Sequence, residues 1–203
     1  MLTFNRQKFF NHYRTVFGTL SQALVDALND LLEAIEADNV WTGTDTDLRK
    51  LAYALATFKH ETAHTFRPIH EYGGEAYFNK RYGPQTAVGK RLGNTQPGDG
   101  ARFAGRGFVQ LTGRSNYKRA GDKVGVDLIN NPDLAMDSRI AYKIAMTGMR
   151  EGWFTGKKFS DYFRDGKIPD YRNARRIING TDRADQIADL ARRLMEILRA
   201  SKI

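Results

Sequence analysis

Three of the chain's four histidines lie between positions 60 and 70. The stretch HETAH at 60–64 fits the H-E-x-x-H pattern of zinc proteases, and His70 falls at the third-ligand spacing of the extended pattern. On a helix, His60 and His64 are one turn apart, so both imidazoles could reach one metal ion. Arg67 replaces the glycine of the extended pattern and resists the turn that brings a third histidine round. A zinc metallopeptidase that uses His60, His64 and His70 is therefore one alternative.

Glu61 can also be interpreted as a catalytic acid. At about 100° per residue it lies about 60° from Phe58, at the edge of the apolar stripe of a predicted helix. A carboxyl group at such a boundary is partly desolvated, which suits a general acid. This interpretation requires a second carboxylate.

Glu71 and Glu75 are both available as that second carboxylate. Inverting glycoside hydrolases hold their two carboxyl groups about 6.5–9.5 Å apart, with a water between them. In an unbroken helix Glu71 would lie about 15 Å along the axis from Glu61. Pro68 predicts instead that the helix ends near Arg67, after which the chain can return across a cleft. Glu71 and Glu75 could equally be ordinary surface acids.

Hydrophobic periodicity predicts mainly helices around these residues. A capping box with Thr44 as N-cap and Asp47 three residues later predicts the start of the helix that carries Glu61. The glycine-rich stretch 83–107 predicts a long irregular excursion, and 108–112 a short extended segment. The other predicted helices cover residues 21–39, 137–153 and 184–200.

Composition restricts the class of protein. The chain has 203 residues, 41% of them hydrophobic, which excludes whole-chain disorder and favours one domain with two lobes. It has no cysteine, so disulfides and thiolate chemistry are excluded. No apolar run approaches the roughly 20 residues of a membrane helix. The net charge of +9 is spread without a basic run, which favours an anionic cell wall or membrane surface over nucleic acid.

Several segments resemble family 19 glycoside hydrolases, most closely the compact phage endolysins of that family. The most specific is GRGFVQLTGRSNY at 105–117, which contains G-R-G-x-x-Q-L-[ST]. The resemblance covers about residues 50–180. The other matching segments are 58–62, 67–71, 77–78, 125–128, 131–134 and 178–180.

The resemblance implies a mainly α fold of the α+β lysozyme-like superfamily. We expect a bilobal helical domain with a small β-like insertion and a central cleft. A single catalytic domain would occupy residues 1–203, with 70–115 forming much of the cleft rim and no separate binding module.

The resemblance also implies roles for individual residues. The glutamate of H-E-T, here Glu61, is the general acid, and the glutamate nine or ten positions later, here Glu71, is the general base. The hydroxyl residue after Q-L, here Thr112, positions the attacking water. Arg106 is expected to form a structural ion pair, and no metal or cofactor is expected. Sugar-contacting positions fall on Gln110, Asn116, Tyr77 and Asn179.

The implied function is an endolysin that hydrolyses the β-1,4 glycan backbone of peptidoglycan with inversion and lyses the host cell. A chitinase of the same fold and a non-catalytic glycan-binding protein are the alternatives within this interpretation. The charged start of the chain lacks a secretory pattern. We therefore expect the protein in the host cytoplasm until it is released to the periplasm and cell wall.

The expected partners are peptidoglycan glycan strands and not nucleic acid, and the expected state is a monomer. The apolar stripe at 184–200 is flanked by arginines and could contact an anionic outer-membrane surface. Alternatively, the stripe packs on the core.

Overall fold

The computed structural model describes residues 2–203 and is 59% helical, with little sheet. The mainly α prediction is confirmed. The chain forms two compact units: residues up to Phe66 with Met146–Ile203 form the first, and Arg67–Ala145 form the second. No helix of the described residues combines the length and apolar character needed to cross a bilayer.

The first unit is built around two long helices, α3 and α11, which pack against each other. Helix α8 begins in the second unit's segment and ends in that of the first. The α-helices of the first unit are α1 Arg6–Phe17, α2 Gln22–Glu36, α3 Asp45–Glu61, α9 Phe159–Tyr162, α10 Tyr171–Ala174 and α11 Ala184–Ser201, and α8 covers Ser138–Glu151.

The second unit consists of short helices and a two-stranded sheet. Strands β1, Ile69–His70, and β2, Arg106–Gly107, are antiparallel, with Ile69 opposite Gly107. A 3₁₀ helix covers Pro132–Met136. The α-helices of this unit are α4 Glu75–Tyr82, α5 Ala87–Arg91, α6 Asp99–Arg102 and α7 Arg114–Val124.

Helix α3 begins as predicted but is capped differently. The Thr44 hydroxyl accepts the Asp47 N–H at 3.2 Å. The Asp47 carboxylate does not complete a reciprocal box with Thr44; it accepts the N–H and hydroxyl of Thr42 at 3.0 and 2.9 Å. The N-cap prediction is therefore confirmed and its second half is wrong, because the preceding turn offers Asp47 two donors.

The end of α3 was predicted wrongly. The helix stops at Glu61, six residues before Arg67. The Thr62 hydroxyl donates to Phe58 O at 2.7 Å and accepts the Phe66 N–H at 3.0 Å, which satisfies helix-end groups locally. Three of the next residues have positive φ: Ala63, His64 and Phe66, at 49°, 68° and 53°. The chain thus turns before Pro68 can act.

Two further local predictions need correction. The stretch 83–107 is not irregular throughout, since it contains α5 and α6. Helix α5 forms because the Thr86 hydroxyl accepts the Gly89 N–H at 2.8 Å as an N-cap. Residues 108–112 do not form a strand. The residues paired in the sheet are those of β2, and Arg106 forms an isolated antiparallel bridge with Leu111 across a tight turn.

The apolar stripe of α11 packs on the core of the first unit. Besides Ala184 at its start, seven apolar side chains of the helix are buried, against α3 and the neighbouring helices. These side chains are therefore not free to enter a lipid surface. They are Ile187, Ala188, Ala191, Leu194, Met195, Ile197 and Leu198.

Lys59, two residues before Glu61, is buried in an aromatic cage. Its ammonium lies 5.3, 4.8 and 5.4 Å from the ring centroids of Tyr13, Phe17 and Phe66. It donates a hydrogen bond to the Tyr13 hydroxyl at 2.8 Å. Burial lowers the pKa of Lys59, because a charged amine loses hydration in this cage. The cage joins α1 to the last turn of α3.

Replacing Tyr13 by phenylalanine should lower the free energy of unfolding by about 2 kcal/mol, because the buried ammonium loses its hydrogen bond. The double variant Tyr13→Phe/Lys59→Met should recover most of this loss, since an apolar pair then fills the same space. Urea unfolding measures both values. A double variant as unstable as Tyr13→Phe alone would contradict this account.

The Lys59 cage also predicts a pH dependence. Because the pKa of Lys59 is lowered in the folded protein, the unfolded chain binds this proton more tightly. Wild-type stability should therefore rise as the pH rises toward the ordinary lysine range, and the double variant should lack this rise.

Candidate active site

Glu61 is the last residue of α3, and its side chain is 24% exposed. Its Oε1 accepts a hydrogen bond from Arg175 Nη1 at 2.6 Å. Arg175 is buried and also donates from Nε to Asp182 O at 3.1 Å, which fixes the guanidinium plane. This charge-assisted bond fixes the position of the Glu61 side chain at the end of α3.

Sequence reasoning missed Arg175. The two partners are 114 positions apart, and no local pattern marks this arginine among its neighbours. It begins the 3₁₀ helix Arg175–Ile177, directly after α10. The packing of α10 on α11 positions this segment within the first unit.

Glu71 follows β1 directly and is fixed through both carboxylate oxygens. Its Oε1 accepts from the Tyr82 hydroxyl at 2.8 Å, and its Oε2 accepts from Gly105 N at 3.2 Å. Its own N–H donates to Gly105 O at 2.7 Å, which extends the β1–β2 pairing by one residue. The short sheet and the last residue of α4 thus jointly fix the position of the Glu71 carboxylate.

Gly105 brings three predicted residues to one place. A methyl group on its Cα would lie 2.8 Å from Gln110 Oε1, 3.1 Å from Glu71 Oε2 and 3.2 Å from Thr112 Oγ1. These oxygens therefore face the same space beside the glycine, and any larger residue would fill it. The structure confirms that Glu71, Gln110 and Thr112 lie together.

The loop after β2 fixes the direction of the Thr112 hydroxyl. The Thr112 hydroxyl donates to Gln110 O at 2.9 Å, so its lone pairs are left to accept. A water could therefore donate one hydrogen to Thr112 and the other to Glu71. Gln110 adopts a positive φ of 54° and donates from Nε2 to Ile69 O at 3.1 Å.

Asn116 supports the same loop. Its side-chain amide donates to Thr112 O at 2.8 Å, from the first turn of α7. Arg106 pairs with Asp133 at 2.9 Å, so the expected structural ion pair is confirmed. A sugar contact by Asn116 stays a prediction.

Three other candidates lie outside this cluster. Tyr77 on α4 is 45% exposed, and its hydroxyl accepts from Arg81. Glu75 is the exposed first residue of α4, and no hydrogen bond within the described residues joins it to Glu71. Asn179, in the first unit, is exposed and accepts the Gly180 N–H at 2.9 Å. The structure favours Glu71 over Glu75 as the held carboxylate.

The structure lacks the helical spacing of His60 and His64 on which the zinc interpretation depends. His64 lies beyond the end of α3 with a φ of 68°, so His60 and His64 are not one helical turn apart. His70 lies in β1, and its Nδ1 is 2.8 Å from Glu71 O. Among residues 2–203, no three His, Cys, Asp or Glu side chains are grouped to hold a metal ion.

Tyr82 is a second residue that sequence reasoning missed, and it yields a prediction. Burial and the bond to Glu71 raise the pKa of Tyr82 to about 12, so it remains a donor at ordinary pH. Its ring stacks on Phe78, at an interplanar angle of 11°. Tyr82→Phe keeps this stack and removes the donor. It should lower kcat about tenfold, which is near the lower end of what a hydrogen bond to a charged group contributes. The KM should stay within about twofold of the wild-type value.

Tyr117→Phe is the matched control for Tyr82→Phe. The Tyr117 hydroxyl is also buried; it donates to Ala104 O at 2.8 Å and accepts from Arg106 Nη1 at 3.0 Å, and it has no hydrogen bond to Glu71. Its loss should lower the melting temperature but not kcat. Equal kcat values for Tyr82→Phe and wild type would show that Tyr82 is structural only.

Comparison with known proteins identifies the family of this chain. The model of the family 19 glycoside hydrolases, described as chitinase class I, matches residues 22–160. The chain belongs to this family. The predicted family resemblance is therefore confirmed, and its closeness to phage endolysins stays a prediction.

Curated relatives are similar over part of the chain. Chitinase 11 of Oryza sativa subsp. japonica is 33% identical over 156 residues, which cover 68% of this family 19 chain and 55% of the relative. The acidic endochitinase of Petunia hybrida is 36% identical over 111 residues, 52% of this chain and 37% of the relative. The chain thus spans about half or less of the length of these relatives.

Solved structures share the fold. Chitinase C of Streptomyces griseus HUT6037 superimposes with a TM-score of 0.60 at 22% identity, covering 96% of this chain and 76% of that chain. A bacterial family 19 chitinase, reported to differ from plant enzymes, gives 0.57 at 23% identity, with 96% and 94% covered. The predicted mainly α, lysozyme-like fold of this family is confirmed.

Proposed function

We propose that this family 19 protein hydrolyses β-1,4 bonds between N-acetylated amino sugars by single displacement with inversion. The observation that carries the proposal is the convergence of Glu71, Gln110 and Thr112 oxygens beside Gly105. A carboxylate next to a hydroxyl that is free to accept a hydrogen bond can hold a water and deprotonate it.

The proposed reaction uses two carboxyl groups. Glu61 donates its proton to the leaving glycosidic oxygen as the C1–O bond breaks. Arg175 then stabilises the carboxylate that remains. A water held by Thr112 attacks C1 from the opposite face of the sugar, and Glu71 takes the proton that this water loses. Proton exchange with solvent restores both groups.

The proposed substrate is peptidoglycan, and the proposed role is that of an endolysin in host cell lysis. Residues 67–145 contain 13 Lys and Arg against 7 Asp and Glu, which places +6 of the formal +9 in the unit that holds Glu71. Peptidoglycan carries peptide carboxylates, whereas chitin is neutral. The charge therefore favours the anionic polymer.

Chitin is the second candidate substrate, because the relatives and solved structures of similar sequence or fold are named chitinases. The two candidates share the same reaction. Only the groups attached to the sugar differ.

Product analysis tests both parts of the proposal. Purified sacculi and chitin hexasaccharide are incubated separately, and the products are identified by mass spectrometry and proton NMR. We expect muropeptides with a reducing end from sacculi, whose terminal sugar identifies the bond cut, and an initial α-anomer. An initial β-anomer or a 1,6-anhydro product would overturn the inverting hydrolysis, and cleavage of chitin alone would overturn the peptidoglycan assignment.

The remaining proposals concern location and partners. We propose release from the host cytoplasm to the cell wall, action as a monomer and no role for nucleic acid. Contact with an outer-membrane surface through α11 would have to use its exposed arginines, since the apolar stripe is buried. Two of the α11 arginines already form ion pairs: Arg193 with Asp189 at 2.9 Å and Arg199 with Asp45 at 2.6 Å.

A further inference from the structure

Arg81 is an exposed cation in a fixed position. It lies in the last turn of α4, and its Nη1 donates to the Tyr77 hydroxyl. Its guanidinium carbon is 5.2 Å from the ring centroid of Tyr82 and 5.8 Å from that of Tyr77. Two tyrosine rings thus hold the side chain while the guanidinium stays in solvent.

Arg81 forms no ion pair within residues 67–145, unlike two neighbouring arginines, although the charge of Glu71 acts on it from a greater distance. Arg114 pairs with Asp99 at 2.5 Å, and Arg106 pairs with Asp133 at 2.9 Å. No carboxylate of residues 67–145 lies within 4 Å of the Arg81 guanidinium. Most of its five N–H donors are therefore available to an external acceptor.

Tyr82 connects this cation to the proposed base. Its hydroxyl donates to Glu71 Oε1 at 2.8 Å, and its ring lies next to the Arg81 guanidinium. Arg81 is thus one side chain away from the carboxylate proposed to activate water. A group bound by Arg81 would belong to substrate close to the reacting sugar.

We infer that Arg81 determines specificity by binding a carboxylate carried by the glycan next to the bond that is cleaved. This inference rests on the proposed function and deepens it. In peptidoglycan, every second sugar carries a lactyl group and a peptide with free carboxylates, whereas chitin carries none. A guanidinium matches a carboxylate in planar, two-point geometry, which an ammonium cannot reproduce.

The expected effect is moderate because the site is exposed. An exposed ion pair contributes up to about fivefold in affinity. The two tyrosine rings reduce the ordering cost of the arginine side chain, so the upper end of this range is expected.

The experiment compares Arg81→Gln, Arg81→Lys and Arg119→Gln. Arg119 is the matched control, since it is exposed on α7 and no carboxylate of residues 67–145 pairs with it. Binding to sacculi is measured by sedimentation in a Glu71→Gln background, so that turnover does not consume the probe. The probes are native sacculi and sacculi whose carboxylates have been amidated with carbodiimide and ethanolamine. Turnover on native sacculi is measured separately with intact Glu71.

Arg81→Gln should weaken binding to native sacculi about fivefold and raise KM by a similar factor, with kcat unchanged. It should not change binding to amidated sacculi. Arg81→Lys should give an intermediate loss, and Arg119→Gln none. Equal binding of Arg81→Gln and Arg119→Gln, or an equal loss on both kinds of sacculi, would overturn the inference. If the wild type cleaves no glycan, the proposed function fails, but the binding comparison still decides the role of Arg81.

Discussion

Replacing Glu61 by glutamine should lower kcat on native glycan by about a thousandfold while the protein stays folded. General acid catalysis contributes about 10²–10⁴ in rate, and glutamine cannot donate the required proton. The amide oxygen can still accept the hydrogen bond that Arg175 Nη1 makes at 2.6 Å. Steady-state kinetics gives the loss, and thermal unfolding verifies the fold.

A comparison of substrates with different leaving groups distinguishes a role of Glu61 as the acid from a purely structural role. A substrate whose leaving group is an acidic phenol, such as a dinitrophenyl glycoside, needs little proton donation. On this substrate Glu61→Gln should lose less than about tenfold. A loss as large as that on native glycan would contradict the assignment of Glu61 as the acid.

Glu71→Ala should lower kcat by about a thousandfold for a different reason, because no base then deprotonates the water. The alanine leaves space beside Gly105 and Thr112 for a small anion. Azide needs no deprotonation, so it should restore much of the rate. In an inverting reaction, the product from a β-linked substrate should be the α-glycosyl azide.

Glu75→Ala is the matched control for Glu71→Ala. Glu75 is exposed at the start of α4, and its removal should leave kcat within about twofold. If Glu75→Ala rather than Glu71→Ala loses activity and is rescued by azide, the assignment of the second carboxylate is wrong. A β-glycosyl azide would instead contradict inversion.

Local patterns predicted the long helices well. The N-cap of α3 lies at Thr44, as predicted, and α2 begins at Gln22, one residue after the predicted start of the helix at 21. These predictions succeed because capping and periodicity depend on neighbours within one or two turns. The same reasoning fails at Thr62, where a hydroxyl closes the helix from within and Pro68 is not needed.

The family resemblance predicted residues that the structure places together. It indicated Glu71, Gln110 and Thr112 as candidates, and the structure brings them together beside Gly105, whereas their roles stay predictions. It did not predict how they are held, because Tyr82 has no spacing that marks it as a partner of Glu71. The Tyr82–Glu71 bond forms when α4 folds back beside the β1–β2 sheet.

The sequence by itself determined the mainly helical fold, the start of α3 and the identity of the candidate carboxylates, since these depend on residue type and short-range spacing. Only the tertiary structure decided that Arg175 pairs with Glu61 across 114 positions, that the α11 stripe packs on the core and that Arg81 forms no ion pair within its unit. Hydrophobic periodicity shows which face of an element is buried. It does not show which distant element covers that face, and the partner of a charge depends on that packing.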